Sequence, residues 1–262
     1  ENVRSRSAVG RRMGSSVLCA ALLLAAMWAR AVTVGISPIG SGILVMLSLV
    51  WLLAPEVAFR LSGEPPRPQR TLAPDDRLLA IRYAREHWNY FEESASAATH
   101  WLVPDNLQET PEPVLATRTS PTNIGLQLLA IMSARDLGFL DDEGMTMRLE
   151  RILDTMDGMT KVRGHLLNWY ELTDLRVLDP PYVSAVDSGN LAGHLLALAE
   201  GCVEMAGSAD ADADRLNDIA ARARAMAMAM DFGLFYDSRR RLLSIGYDAR
   251  TGMLDESSYD LL

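Results

Sequence analysis

A long apolar stretch near the N-terminus limits what this chain can fold into. Residues 13–60 end at Arg60 and contain only two other charged side chains, Arg30 and Glu56. Two crossings of a lipid bilayer need about 40 apolar residues, so the stretch is long enough for two transmembrane helices. The turn-forming residues 37–42 could join them. The sequence therefore predicts a transmembrane region of two helices.

Basic residues flank this stretch on both sides. Residues 1–12 carry four arginines, and the proline-rich residues 61–74 carry two more. Because positive residues concentrate on the cytoplasmic side of a membrane, both flanks and the segment that follows them are predicted to be cytoplasmic. The alternative is a cleaved signal peptide, since residues 29–31 imitate a cleavage site. A second long apolar run directly after that site argues against it.

The composition of the rest of the chain excludes several classes of protein. The net charge is +5 over residues 1–70 and −14 over residues 71–262, so the acidic part has no electrostatic reason to bind nucleic acid. Cys19 and Cys202 are too few to form a disulfide scaffold. The proline-rich segment 61–74 predicts a linker, which leaves residues 75–262 as a separate soluble domain.

The soluble domain is predicted to be mainly α-helical. Asp75 and Asp76 can cap a first helix, in which apolar residues recur every three or four positions. Further helical patterns cover residues 124–137, 143–156, 191–205 and 209–230. Only residues 242–247 have the pattern of a strand, and the turn-forming residues 249–252 predict a small β-hairpin there.

The soluble domain contains one internal repeat. Residues 120–130 align without gaps with residues 187–197, an offset of 67 positions, and each segment leads from polar residues into a leucine-rich helix. Repeated helix pairs with polar loops at one end are typical of an alpha/alpha toroid. The alternative is that two capped helices resemble each other because few residue types cap helices well.

Five ordered blocks of the sequence resemble a known family. They are residues 119–125, 168–170, 186–191, 244–247 and 258–262. Together they resemble the glycoamylase-like domain of cyclic β-1,2-glucan synthases, which are large bacterial inner-membrane proteins. Two membrane spans and a linker ahead of the domain are similar to the layout of that family.

The resemblance implies both a fold and an activity. The fold would be two transmembrane helices followed by an incomplete alpha/alpha toroid of the (α/α)6 glycoamylase-like type, with the soluble domain facing the cytoplasm. The activity would be cyclisation of linear β-1,2-glucan by anomer-retaining transglycosylation. In the family, a transferase domain upstream uses UDP-glucose as donor and a phosphorylase-like domain lies downstream. Neither domain is contained in residues 1–262, for which no cofactor or metal is expected.

The resemblance also implies which residues line the substrate cavity, while it leaves the catalytic residues unknown. The expected catalytic glutamates would lie beyond Leu262, so this segment is expected to be inactive alone. On the residues themselves, the loop carboxylates that could act are Asp105, Glu171, Asp187, Asp255, Glu256 and Asp260, and sequence spacing does not choose among them. The implied cavity residues are Ser120, Thr122, Asn123, Trp169, Tyr170, Asp187, Asn190, Tyr259 and Asp260.

Two other functions remain open from the sequence. The same toroid could belong to a membrane-anchored endo-β-1,2-glucanase, which passes the cleaved glucan to water instead of to a sugar hydroxyl. It could also be a non-catalytic scaffold domain that binds the glucan oligosaccharide next to the bilayer.

Overall fold

A computed structural model describes residues 13–33, 38–61, 73–207 and 212–259. The chain forms two compact units, residues 1–72 and 73–262. The predicted basic segment 1–12 and most of the predicted linker 61–74 lie outside the described residues.

The first unit contains two helices that pack against each other. Helix α1 covers Gly14–Thr33 and helix α2 covers Pro38–Leu61. Near the end of α2, Arg60 Nε donates to Glu56 Oε1 at 2.8 Å. Among the described residues, neither helix meets the combined length and apolarity that a membrane span requires. The prediction of two transmembrane helices, and of a multi-pass inner-membrane location, is therefore not supported.

The second unit is mainly helical, as the sequence predicts. Its helices follow apolar periodicity, with the buried residues of one helix spaced three or four positions apart. The helices are α3 (Pro74–Ser94), α4 (Pro121–Asp136), α5 (Asp142–Gly158), α6 (Ala185–Ala206) and α7 (Ala213–Met228).

Four of these helices form two layers. Helix α4 lies beside α6, α5 lies beside α7, and the two pairs pack on each other, while α3 contacts α4. The core between the layers is made of fully buried aliphatic side chains, among them Ile124, Leu128, Ile131, Leu149, Leu153, Leu191, Leu195, Leu198 and Ile219.

Helices α4 and α6 begin with the same cap. Ser120 Oγ accepts a hydrogen bond from the Asn123 backbone N–H at 3.3 Å, and Ser184 Oγ accepts one from the Asp187 N–H at 3.2 Å. A serine in this position satisfies a backbone donor that the first turn leaves unpaired. Counted from their caps, Asn123 and Asp187 are therefore equivalent.

The positions of the two helix caps do not follow the offset of 67 residues that the internal repeat predicts. Ser184 follows Ser120 by 64 residues, whereas the gapless alignment has an offset of 67. The offset of 67 does match the buried positions, since Ile124 and Leu128 correspond to Leu191 and Leu195. Helix α6 thus contains about one extra turn before its first buried leucine.

Short strands connect the helices. Each is two or three residues long: β1 (Leu107–Gln108), β2 (Val114–Leu115), β3 (Arg118–Thr119), β4 (Lys161–Val162), β5 (His165–Leu166), β6 (Tyr170–Glu171), β7 (Tyr182–Ser184), β8 (Tyr236–Asp237), β9 (Leu242–Ser244), β10 (Gly246–Asp248), β11 (Met253–Leu254) and β12 (Ser258–Tyr259). Their pairing is antiparallel, in the orders β1-β2, β3-β6, β4-β5, β11-β10-β7 and β12-β9-β8. The predicted strand at residues 242–247 is divided between β9 and β10, which belong to different sheets. Strand β10 forms a hairpin with β11 around the predicted turn at residues 249–252.

Candidate functional site

The beginnings of α4 and α6 are joined by side-chain hydrogen bonds. Thr122 Oγ1 donates to Asp187 Oδ1 at 2.6 Å, and Asn190 Nδ2 donates to Thr122 Oγ1 at 3.2 Å. The two helices therefore run in the same direction and present their first turns at one end of the unit.

A loop that precedes α6 reaches the same end through Asn168. With its amide oriented to satisfy its neighbours, Asn168 Nδ2 donates to Asp187 Oδ2 at 3.0 Å. The Asn168 oxygen accepts a hydrogen bond from Trp169 Nε1 at 3.2 Å. Both carboxylate oxygens of Asp187 are thus engaged as acceptors, which makes Asp187 the group that holds Thr122 and Asn168 together.

A second carboxylate, that of Asp105, accepts hydrogen bonds from the first turn of α4 and from the residue before Thr119. Asp105 Oδ1 accepts from Asn123 Nδ2 at 3.1 Å, and Asp105 Oδ2 accepts from Asn106 Nδ2 at 2.9 Å and from Arg118 Nη2 at 3.3 Å. The Asp105 backbone N–H also donates to the Arg118 carbonyl oxygen at 2.7 Å. Arg118 and α4 are therefore fixed to the same loop residue.

The pairing of β3 with β6 decides which aromatic side chain reaches this end. Thr119 lies opposite Tyr170, and both are fully buried. Since successive side chains of a strand point to opposite faces, the neighbouring Arg118 and Trp169 point away from the core. The Arg118 guanidinium carbon lies 4.2 Å from the centroid of the Trp169 ring, which is the geometry of a cation–π contact.

These residues form one connected group, which we call the rim cluster. It combines two carboxylates with one guanidinium, three amides, one hydroxyl and a partly exposed indole. Aromatic faces pack against apolar sugar faces, while amides and carboxylates pair with hydroxyls, so this combination suits a polyhydroxylated ligand. The rim cluster consists of Asp105, Arg118, Thr122, Asn123, Asn168, Trp169, Asp187 and Asn190.

Tyr182 of β7 and Tyr259 of β12 lie near the rim cluster, and the Tyr182 carbonyl oxygen accepts a hydrogen bond from the Asn168 N–H at 2.7 Å. Burial raises the pKa of Tyr259, and the negative charge of Asp187 raises it further, so the two side chains are close. Tyr182 donates from its hydroxyl to Asp255 Oδ2 at 3.1 Å, and burial together with this hydrogen bond raises the Tyr182 pKa to about 12. Both phenols therefore stay protonated at neutral pH, and the Tyr182 hydroxyl acts as a hydrogen-bond donor.

The structure brings together most of the cavity residues that the resemblance implies. Thr122, Asn123, Trp169, Asp187 and Asn190 belong to the rim cluster, and Tyr259 lies close to it. Ser120 is buried and caps α4, so its hydroxyl is used inside the protein. Asp260 lies outside the described residues.

Tyr170 corrects one of the implied assignments. Its side chain is fully buried, its hydroxyl donates to the Thr160 carbonyl oxygen at 2.6 Å, and its oxygen accepts from the Leu167 N–H at 2.8 Å. Burial is also the main reason why the pKa of Tyr170 is raised. Tyr170 is therefore a core residue and does not face a ligand.

Sequence reasoning missed the role of three rim residues. Asp105 is predicted as one of several candidate carboxylates and lies in the segment 102–106, which also resembles the family, but no role is assigned to it; Asn168 is predicted only as a member of a resembling block. Arg118 directly precedes such a block and carries no sequence signal of its own. The position of Arg118 follows from the register of β3 and β6. This register cannot be predicted from the sequence, because a strand of two residues has no recognisable periodicity.

Metal ligands do not gather near the rim cluster. Over the ranges that the structure describes, no group of three or more histidine, cysteine, aspartate or glutamate side chains could hold a metal ion. The buried His165 packs against the edges of Phe232 and Phe235, each with ring centroids 5.0 Å away. Burial lowers the pKa of His165, so this imidazole is a neutral part of the core at pH 7.

Comparison with known sequences identifies two relationships. Residues 82–207 match a family described as "Protein of unknown function (DUF3131)". The chain is also 45% identical over 179 residues to the cyclic β-(1,2)-glucan synthase NdvB of Rhizobium meliloti. This match covers 66% of the chain but only 6% of the length of NdvB.

Comparison with solved structures concerns the fold alone, since sequence identity is low. A putative glucoamylase from Bacteroides fragilis has a TM-score of 0.56 at 18% identity, covering 72% of this chain and 44% of that one. An endo-β-1,2-glucanase from Chitinophaga pinensis, solved with sophorotriose and glucose, has a TM-score of 0.55 at 14% identity, covering 70% and 42%. The predicted resemblance is confirmed: this chain is related in sequence to a segment of a cyclic β-1,2-glucan synthase, and its helical unit has a fold similar to that of glucoamylase-like proteins.

Proposed function

We propose that residues 73–262 are part of a β-1,2-glucan-processing domain and hold the glucan at the rim cluster. We propose that this segment forms part of an alpha/alpha toroid that cyclises linear β-1,2-glucan by anomer-retaining transglycosylation. The proposal does not depend on attachment of residues 13–60 to a membrane. Supply of the linear glucan from UDP-glucose would be the task of a separate transferase region.

The observation that carries the proposal is the convergence of the rim cluster. Two helix beginnings and two loops contribute amide, hydroxyl and carboxylate groups around one indole, and Asp187 links three of these segments. A neutral glucan offers hydroxyls and apolar ring faces but no charge, so stacking and hydrogen bonds are the interactions that can hold it. The 45% identity to NdvB supports β-1,2-linked glucan as the ligand.

The carboxylates of the rim cluster are assigned to positioning. Asp187 accepts hydrogen bonds at both oxygens, and so does Asp105. Glycoside cleavage requires one carboxyl group that gives a proton and one that attacks or activates water. The proposal therefore leaves proton transfer and nucleophilic attack to carboxylates outside the rim cluster.

A binding experiment tests the proposal. Isothermal titration of the chain of 262 residues with a linear β-1,2-linked gluco-oligosaccharide should show binding, and a β-1,4-linked oligosaccharide of equal length should bind more weakly. Trp169→Ala should weaken binding by at least about tenfold, because it removes the stacking surface.

The matched control is the adjacent residue. Tyr170→Phe should lower the midpoint of thermal unfolding, since Tyr170 makes two buried hydrogen bonds, and it should leave the dissociation constant unchanged. If both substitutions change stability and affinity to the same extent, Trp169 is a core residue and the proposed function is wrong.

A further inference from the structure

Trp169 is held on one face by a charged side chain that the proposed binding role does not use. The Arg118 guanidinium lies 4.2 Å from the indole centroid. An arginine stacked on a tryptophan attracts the ring electrostatically and covers the face on which it lies. Arg118 therefore excludes a ligand from this face, and a ligand that stacks on this indole has to use the opposite face.

Arg118 is itself fixed by Asp105. The two residues are joined twice, by the side-chain contact of 3.3 Å and by the backbone hydrogen bond of 2.7 Å. The Asp105 side chain is only 18% exposed, whereas that of Arg118 is 47% exposed. Asp105 is also tied to α4 through Asn123. The guanidinium is thus anchored to a less exposed residue that is itself bonded to α4.

The edge of the Trp169 indole is held by a hydrogen bond that does not involve Arg118. Trp169 Nε1 donates to the Asn168 oxygen, and the Asn168 nitrogen donates to Asp187 at the start of α6. The indole is therefore connected to α4 through Arg118 and Asp105, and to α6 through Asn168. Two separate contacts are enough to determine both the tilt and the rotation of a planar ring.

From this geometry we infer that Arg118, held by Asp105, is a positioning residue that fixes the Trp169 indole as a one-faced platform for a glucose ring. The inference rests on the proposed function for the identity of the ligand. Arg118 acts through Trp169 and does not contact the sugar. A platform fixed before the ligand arrives loses little side-chain freedom on binding, so its affinity for the ligand is higher than that of a free indole.

Arg118→Met is the variant that tests this role, because methionine keeps an unbranched chain but has no charge and no donor. The dissociation constant for the β-1,2-linked oligosaccharide should rise by about five- to tenfold. Asp105→Asn should cause a smaller rise, since it removes the charge that holds the guanidinium. Arg176→Met is the control, because Arg176 pairs with Glu171 and Asp174 instead, and it should leave affinity unchanged.

A double-mutant cycle separates positioning from direct contact. In a Trp169→Ala background, Arg118→Met should have no further effect on the dissociation constant, since the side chain on which Arg118 acts is gone. A full effect of Arg118→Met in that background would mean that Arg118 contacts the sugar itself, and would overturn the inference. Unchanged affinity in the single variant would overturn it as well.

A measurement without ligand distinguishes failure of this inference from failure of the proposed function. The indole N–H resonance of Trp169 can be assigned by its loss in Trp169→Ala. In Arg118→Met, its ¹⁵N relaxation should show increased fast motion, whereas Arg176→Met should not change it. An unchanged indole would overturn the positioning role, whatever the chain binds. If the unsubstituted chain binds no β-1,2-glucan, the proposed function is wrong and the platform has no sugar to hold.

Discussion

The rim cluster and the contact between α5 and α7 are both rich in hydrogen bonds, but they are built from different side chains. In the α5–α7 contact, Arg215 bonds to Glu143 at 2.6 Å and to Glu150 at 2.8 Å. Arg222 bonds to Asp154 at 2.7 Å and to Asp157 at 2.8 Å. Each of these four bonds joins an arginine to a carboxylate. In the rim cluster most bonds join amides, hydroxyls and carboxylates.

The difference teaches what each region is able to do. Glu143, Asp154 and Asp157 are 70%, 68% and 59% exposed, so water and salt screen them and their ion pairs add little to stability. Glu150 is less exposed, at 31%, and is screened less. Most of the stability of this contact comes from the leucines beneath it. The members of the rim cluster are instead held by hydrogen bonds to one another. We therefore expect substitutions in the helical layers to change stability, and substitutions in the rim cluster to change ligand binding.

The largest expected effect comes from the buried layer under the α5–α7 contact. Leu149 of α5 is fully buried, and Leu149→Ala should lower the free energy of unfolding by about 2–5 kcal/mol, because it leaves a cavity in the core. Urea unfolding followed by circular dichroism measures this loss. Leu78→Ala, at a position of α3 that is 68% exposed, is the control and should cost less than about 0.5 kcal/mol.

Leu149→Ala also tests whether the rim cluster is independent of the packing between α5 and α7. At a temperature where Leu149→Ala is still folded, its dissociation constant for the oligosaccharide should equal that of the unsubstituted chain. A weakened affinity in the folded variant would mean that the rim cluster depends on the packing between α5 and α7, and that the two regions are not independent.

Gly125 of α4 affects both the packing of α4 against α6 and the geometry of the rim cluster. A Cβ at Gly125 would clash with His194 Nδ1 and lie 3.1 Å from His194 Cβ, so the absence of a side chain at this residue allows α4 and α6 to lie this close. Gly125→Ala should cost about 1–3 kcal/mol by overpacking. It should also weaken oligosaccharide binding, because moving α4 from α6 lengthens the Thr122–Asp187 hydrogen bond. Thermal unfolding and titration measure the two effects.

Two controls make the Gly125 experiment specific. Gly193→Ala meets no atom within 4 Å and should stabilise α6 by about 0.5–1 kcal/mol. Adding His194→Ala to Gly125→Ala should recover part of the lost stability, since it removes the clashing ring. If Gly125→Ala is as harmless as Gly193→Ala, the close approach of the two helices does not set the geometry of the rim cluster.

The helices could be predicted from the sequence because their signals are local. Apolar periodicity predicts α5 at residues 143–156, and the structure has it at Asp142–Gly158. Helix α6 was predicted from residue 191, but it begins at Ala185. Its first turns expose Val186, Gly189 and Asn190 and so contain no apolar repeat.

The site could be predicted only in part, because its remaining geometry depends on pairing between distant segments. The strands are two or three residues long, and no periodicity can be recognised over that length. Trp169 and Tyr170 are adjacent in the sequence, and only the pairing with β3 reveals that Tyr170 faces the core. The internal repeat correctly relates the buried leucines, but it does not give the cap at Ser184, because α6 has an additional first turn.

The smallest expected effect is the loss of stability in Arg222→Gln, which we compare with the effect of Arg118→Met. Arg222→Gln removes contacts to Asp154 and Asp157, whose side chains are 68% and 59% exposed, and should cost about 0.2–1 kcal/mol of unfolding free energy. The cost should shrink in 1 M salt, where the screening length falls to about 3 Å. Arg118→Met should instead weaken ligand binding with little loss of stability. Urea unfolding at low and high salt, beside titration of both variants, measures the contrast. Arg222→Gln should leave ligand binding unchanged. If it weakens binding as strongly as Arg118→Met does, the effect of Arg118 on binding is not specific to its cation–π contact with Trp169.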